Sequence, residues 1–473
     1  MPKRVLTVSP MPPEKCAFAL ARYSRSPDSI RDSIEWVRTH DSAKFLESFY
    51  FQYGHASIAD LGHVTMCFEG ISELAATEVE DEQLWDGQAR SSRYQDFSKS
   101  GFITPDEFDV EQAALYQEAA AKMLNGYNTI HAKVFDYLSE MLPRPEAMKA
   151  EVYKRNITAR AFDVARYLLC FGIPTGVGQV NSIRSLERQV RRLKASEYGE
   201  VRALAIEIAE ACAAEPACQW SGDDAEPLAP TLARHLDTDE YLLHSREDLK
   251  QWASQNLPPR EPKCPDDVDL MKPADTMPDI VATLLYPVTD RTYRELYEMA
   301  RSWGFARRNE VIDVALRSRT RRDELLRNFR SAPYAYDIVM DIGAYRDLHR
   351  HRRCQQFRQT FSTDLGFETP EAITASGCTE LFSSLVGQAC NLVTKLPAPG
   401  SHYLLPFATR ARFLFKMDFS EAEYISRLRS GVKGHFSYRR IAWQMKEKMA
   451  AIEPELSRLL EATPPWIEDP LQR

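Results

Sequence analysis

The chain has 473 residues and a formal net charge of -8, which argues against a general nucleic-acid binder but leaves room for a local basic site holding one phosphorylated ligand. An apolar share of 44% and a charged share of 27% are those of an ordinary globular protein and exclude fibrous and disordered classes. Nine cysteines without a C-x-x-C pair speak against a zinc ribbon or disulfide scaffold, and no apolar run reaches the length of a membrane span, so the expected location is a reducing cytoplasm.

In chain order, the spacing of Ile30, Ile34, Val37, Phe45 and Phe49 predicts helix over 28–50, and the alternation from His63 to Glu69 predicts a strand. Long amphipathic helices are predicted over 110–141 and 187–212. Prolines at 258, 259, 262, 265, 273 and 278 then interrupt any regular element, so 256–278 reads as a linker between near-equal halves. Beyond it, helix is predicted over 293–317, a strand over 334–340, and helices over 370–392 and 421–452. The order of helix and strand is similar in the two halves, which prompts a search for a repeat.

The run Arg350-His351-Arg352 crowds fixed positive charge into an acidic protein. Its repulsion needs an explanation, and a bound anion supplies one, since arginine offers a rigid fork suited to phosphate. The alternative is a solvated helix face or a nucleic-acid patch, extending over the arginines between Arg301 and Arg353.

Three segments of the first half, Gly54-His55-Ala56-Ser57-Ile58-Ala59-Asp60, Phe68-Glu69-Gly70-Ile71-Ser72 and Ser91-Ser92-Arg93-Tyr94, resemble in order and spacing the opening motifs of flavin-dependent thymidylate synthases. That family's signature begins with RHR and ends with SxR. Arg350-His351-Arg352 looks like the RHR, preceded by a strand and a Gly343-containing turn. Downstream, Ala165-Arg166 is similar to the family's A-R-x-x-L-P and Asn181 with Arg184 to its N-x-R-S-L. His402, Asp418 and Ser420 take the corresponding places in the second half, and Arg429 takes that of a later family arginine. The intervals Arg166 to Arg192 and His402 to Arg429 differ by one residue, so the halves stay in step.

The resemblance implies an α+β fold of two tandem thymidylate synthase-like domains, each a small antiparallel sheet packed with long helices. Residues 1–255 carry the SxRY half-site, 256–278 the linker and 279–473 the RHR half-site. Each copy departs from the pattern differently. In the first, Asp81, Glu82 and Gln83 stand at the RHR positions; in the second, Thr360 and Ser362 replace the serine and arginine of SxR. The copies thus retain complementary halves of a site that the family builds between subunits, which leads us to expect one composite site and one lost site after gene fusion.

By resemblance, FAD is the cofactor, with methylenetetrahydrofolate and NADPH as co-substrates and a pyrimidine nucleotide as substrate. Ser57, Arg350, His351, Arg352, Asn181 and Arg184 would hold the flavin. Ser91, Arg93, Arg166 and Arg350 would hold the nucleotide, and Arg429 would polarise the pyrimidine carbonyl as the catalytic residue. No metal, nucleic acid or membrane is implied, and two chains would associate into a pseudo-tetramer. Ala89 stands where many members carry an acidic or amide residue, and Asp347 replaces a usual glutamine, which leaves open which pyrimidine is used. The competing readings are a degenerate flavin- or nucleotide-binding paralogue and an RNA binder.

Overall fold

The computed structural model describes residues 11–24, 26, 29–48, 56–93, 95–217, 230–258, 266–320, 325–330, 332–454, 457–469 and 471. Phe49, Gly54, His55, Tyr94, Pro259, Pro262 and Pro265, all singled out above, lie outside them. The chain forms two compact units, one from 1–71, 84–90 and 175–239, the other from 72–83, 91–174 and 240–473. The second unit therefore draws on both halves of the sequence.

Seven strands occur among the described residues: β1 (His63–Ser72), β2 (Asp86–Ala89), β3 (Pro174–Ser182), β4 (Val268–Met271), β5 (Tyr334–Asp341), β6 (Gln355–Arg358) and β7 (Arg410–Met417). They make a three-stranded sheet, β1-β3-β2, in the first unit and a four-stranded antiparallel sheet, β4-β5-β7-β6, in the second. Small antiparallel sheets with long helices are thus the observed architecture. β5 buries all eight of its residues, as a central strand covered on both faces must. β7 is buried at seven of its eight positions, and its two buried cations are satisfied locally: Arg412 pairs with Asp337 and Lys416 with Asp279.

The helix Val110–Met141 matches its predicted span, opening on a capping box in which Asp109 accepts from the Gln112 N–H. Other predicted helices are divided. The 187–212 stretch becomes Ile183–Lys194 and Gly199–Ala213, because Ser196 turns its hydroxyl to the Tyr198 N–H and competes with the helix. The 293–317 stretch breaks before Gly304, and 370–392 breaks at Gly377, which adopts φ +69°. The 421–452 stretch becomes Phe419–Ser430 and Phe436–Ile452 around Gly431 and Gly434.

The proline-rich stretch holds more structure than expected. Val268–Met271 pairs along β5, with Val268 opposite Ile338, as an edge strand where flanking prolines cost no inner ladder bond. Pro278 sits in the first turn of Thr276–Leu285, where a missing N–H is tolerated. Gly343 likewise lies inside the helix Ile342–Leu348 rather than in a turn.

The repeat is written into the backbone hydrogen bonds of the second unit. Glu73 and Leu74 donate to Ile173 and Phe171, while Ile342 and Gly343 donate to Thr409 and Phe407. The donors differ by the shift that carries Ser91 to Thr360, and the acceptors by the shift that carries Arg166 to His402. The Arg166 and His402 segments also pair with each other. Phe171 N–H donates to Leu405 and Phe407 N–H to Leu169; Gly172 N–H donates to Tyr403 and Ala408 N–H to Tyr167. Each bond maps onto its mate when the copies are exchanged, about a bridge between Cys170 and Pro406. This is the isologous geometry of a two-fold dimer, here within one chain.

Candidate functional site

The basic run lies in the turn between the helix Ile342–Leu348 and β6. Asp341 opens the helix by accepting from the Ala344 N–H at 2.7 Å. After the helix, Gln356 pins the turn, its amide donating to the carbonyls of His349 at 3.2 Å and His351 at 3.0 Å. Arg350 to Arg352 are thereby held on a fixed backbone.

Arg93, Arg166, Arg350, His351 and Arg429 all belong to the second unit, together with Ser91 and Arg352. Arg93 binds Asp163 in a fork, at 2.9 and 3.3 Å, and also donates to the Tyr438 hydroxyl at 2.8 Å and the Lys433 carbonyl at 3.1 Å. Residues 93 and 163 come from the first copy and 433 and 438 from the second. Arg166 is 1% exposed and donates to Asp347 and the Gly343 carbonyl, each at 3.2 Å. At Gly343 an added Cβ would crowd Asp341 Oδ1 at 3.1 Å, whereas its 3.6 Å distance to Arg166 Nη2 would be an ordinary contact.

Ser92, rather than Ser91, is the serine at the centre: its hydroxyl accepts from Arg346 at 2.8 Å and from Arg166 at 3.4 Å. Ser91 accepts only from the Arg93 N–H among the described residues, at 3.3 Å. Arg346 completes its own pair with Glu73 at 2.6 Å. Burial lowers the Arg346 guanidinium and Glu73 opposes that shift.

Asp347 faces arginines from both copies. Burial pushes its carboxyl up, but Arg166, Arg93, Arg350 and Arg429 together hold it well below the usual carboxylate range. Glu80 behaves oppositely. Burial raises its carboxyl to about 7, against the pull of Arg350 and Arg346. Asp347 and Glu80 are thus shifted in opposite directions within the same cluster.

His351 is buried, with Nδ1 3.3 Å from Glu421 and Nε2 accepting from Arg429 Nε at 2.7 Å. Burial lowers its imidazole, with Glu421 opposing and Arg429 reinforcing the shift. Tyr438, from the second copy, lies near one arginine of each copy, its ring 5.5 Å from the Arg93 guanidinium and 5.7 Å from that of Arg429. His435 beside it donates to the Asp163 carbonyl at 3.0 Å and stays neutral, because burial and then Arg166 and Arg93 depress it. The buried Arg350 Nε has no hydrogen bond among the described residues, an orphan donor that suits an anionic group.

The remaining expected flavin residues belong to the first unit. Ser57 is exposed in the short helix Ala56–Leu61. Asn181 is buried and donates to Gln189 at 2.9 Å, and Arg184 pairs with Asp60 at 3.2 Å. Asp81 and Gln83, at the positions aligned with the RHR, are engaged: Asp81 takes both Nη groups of Arg327 at 3.0 Å, and Gln83 accepts from Arg330. Arg301, Arg307 and Arg317 are likewise engaged, by Asp275, by the rings of Trp252 and Trp303, and by Asp248. Five arginines between 301 and 330 thus have partners within the unit. A cavity of about 560 Å³ in the same unit lies around Arg291, Thr360 and Ser362, away from the Arg350 cluster.

The sequence model of the thymidylate synthase complementing protein family matches residues 4–215 and again 281–455. This chain belongs to that family. Its two matched stretches make it a tandem member of the thymidylate synthase complementing proteins. Among relatives, a UPF0159 protein of Chlamydia muridarum is 26% identical over 436 residues, covering 89% of this chain and 81% of its own. A UPF0159 protein of Thermoplasma acidophilum is 23% identical over 491 residues, covering 93% and 94%. A crystal structure of Thymidylate Synthase X from Helicobacter pylori with FAD and dUMP aligns over 42% of this chain and 88% of that one, at 15% identity and a TM-score of 0.29.

Among the described residues, no helix is long and apolar enough to cross a membrane, and no group of His, Cys, Asp and Glu is arranged to hold a metal. The seven described cysteines are free thiols.

Proposed function

We propose that the chain is an FAD-dependent, thymidylate synthase-like methyltransferase. It would methylate dUMP, or a related pyrimidine nucleotide, at C5, with methylenetetrahydrofolate as one-carbon donor and NADPH as reductant. The carrying observation is the meeting of Arg93 and Arg166 from the first copy with Asp347, His351 and Arg429 from the second in one compact unit.

In this reading, the Arg350 side chain, with its orphan buried Nε, holds an anionic portion of the flavin or nucleotide. Arg352, beside it in the turn, adds charge. When bound, the reduced flavin supplies the hydride chemistry. The protein supplies placement and electrostatics: Arg429, whose two Nη groups make no hydrogen bond among the described residues, is available to a pyrimidine carbonyl. Ser91 and Arg93 help set the phosphate position, and Ser57, Asn181 and Arg184 remain flavin candidates through the family resemblance alone. A cytoplasmic dimer of chains completes the proposal.

A second reading is favoured by a specific observation. Arg93 and Arg166 already have carboxylate partners in Asp163 and Asp347, so a phosphate on either must compete with a built-in anion. That suits a paralogue that binds flavin or nucleotide without turnover. Purified protein should show a flavin spectrum and NADPH oxidation stimulated by dUMP, both lost in Arg350→Ala. A flavin-bound protein without dUMP-dependent oxidation supports the second reading; an Arg350→Ala protein that binds flavin and nucleotide normally refutes the composite site.

A further inference from the structure

We propose that His351 is not itself a ligand-binding residue but, with Glu421, forms a positioning pair that orients Arg429. The family resemblance places His351 among the flavin contacts, whereas the geometry commits both of its ring nitrogens inside the protein. Its side chain is 4% exposed, and the Tyr424 ring lies edge-on to it at 5.7 Å.

The proton placement follows from what each partner is able to do. An arginine Nε–H donates and never accepts, so His351 Nε2, 2.7 Å from Arg429 Nε, must present a lone pair. The ring proton is then on Nδ1, facing the Glu421 carboxylate. A doubly protonated ring would set two N–H donors against each other at the Arg429 contact. Glu421 therefore selects the one tautomer that accepts from Arg429.

Glu421 is itself fixed. It lies in the first turn of the helix Phe419–Ser430, and its N–H donates to the capping Asp418 at 2.9 Å. Arg429 is on the last turn of the same helix, so one rigid element carries both ends of the relay. With Nε held by His351 and the guanidinium near the Tyr438 ring, the orientation of the Nη edge is set before any ligand arrives. That edge suits a planar carbonyl, such as a pyrimidine C=O, which needs directed donors more than diffuse charge.

The tautomer stands independently of the proposed function; the effect on turnover rests on that reading. Nitrogen spectra of wild-type protein labelled with ¹⁵N-histidine, assigned with His351→Gln, should show Nδ1 protonated and Nε2 unprotonated at neutral pH. The opposite tautomer or an imidazolium overturns the proposal, whether or not the protein turns over and however the variants fold. In NADPH oxidation, Glu421→Ala should lower kcat by about 10- to 100-fold while leaving KM for dUMP near wild type. Glu421→Gln, whose amide oxygen accepts the same Nδ1–H, should restore most of kcat. An Ala variant with wild-type kcat, or a Gln variant as impaired as Ala, counts against positioning through His351. Wild-type protein without turnover removes the function proposed above and leaves the spectra to decide the tautomer.

Discussion

Asp347→Asn isolates the role of one negative charge among four arginines. The substitution keeps the volume and an oxygen for Arg166 at the 3.2 Å contact, but leaves the 1%-exposed guanidinium without a counter-charge. Breaking a buried pair from one side costs about 3–5 kcal/mol, and the retained hydrogen bond places this change near 3 kcal/mol. For a cooperative unit of this size that is a drop in Tm of roughly 4 °C by scanning fluorimetry. The same change should strengthen anion binding. Taking a phosphate at an assumed separation of about 7 Å and an effective dielectric of 20, the lost unit charge is worth about 2.4 kcal/mol, or roughly 60-fold in Kd. Calorimetric titration with inorganic phosphate and with dUMP measures it. The Asp347 carboxyl is held below its unfolded value, so its stabilisation is present above the ordinary carboxylate range and fades only as pH falls through the depressed folded value. The gap between wild type and variant should therefore persist through mild acid. A variant with unchanged Tm and unchanged phosphate affinity would refute an Asp347 that opposes anions within a cluster of arginines.

Glu80→Gln should act with the opposite pH sense. The folded carboxyl is raised to about 7, so wild-type stability falls relative to the variant as pH rises from the ordinary carboxylate range to about 7, by up to about 3 kcal/mol; parallel unfolding curves at pH 4.5 and 8 test this. For Asp81 and Arg327, a double-mutant cycle to Ala should give a coupling energy of about 1 kcal/mol, because the fork is well formed but Arg327 is a third exposed; zero coupling would make the pair incidental. Light scattering on the eluting protein should give twice the 54.1 kDa chain mass, and a strictly monomeric flavin-bound form would contradict the expected association of two chains.

The complementary loss of RHR in one copy and SxR in the other was legible because both motifs are short, polar and fixed in spacing. The helix Val110–Met141 and β5 were legible because their apolar periodicity is uninterrupted. β4 was hidden by prolines that count as breakers in sequence but are harmless at a sheet edge. Ser92, Glu73, Glu421 and Tyr438 were not found, since each acquires its meaning from a partner far away in the chain. The glutamate-to-arginine and serine-to-arginine contacts have no local pattern to read. For Asp347 the sequence showed only a departure from the family's usual glutamine; the structure adds that Arg166 pairs with the carboxylate.

The bridge between Cys170 and Pro406 carries a further meaning. On the axis of a symmetric dimer, a position meets its own copy, so every substitution there is made twice and must tolerate itself. Covalent joining lifts that constraint, because one side can become cysteine and the other proline independently. It also makes the encounter of the two halves intramolecular, so their association no longer depends on protein concentration. A single strand-like contact thus joins two copies whose corresponding positions now differ, Arg350 in one standing where the other has Asp81, which pairs with Arg327.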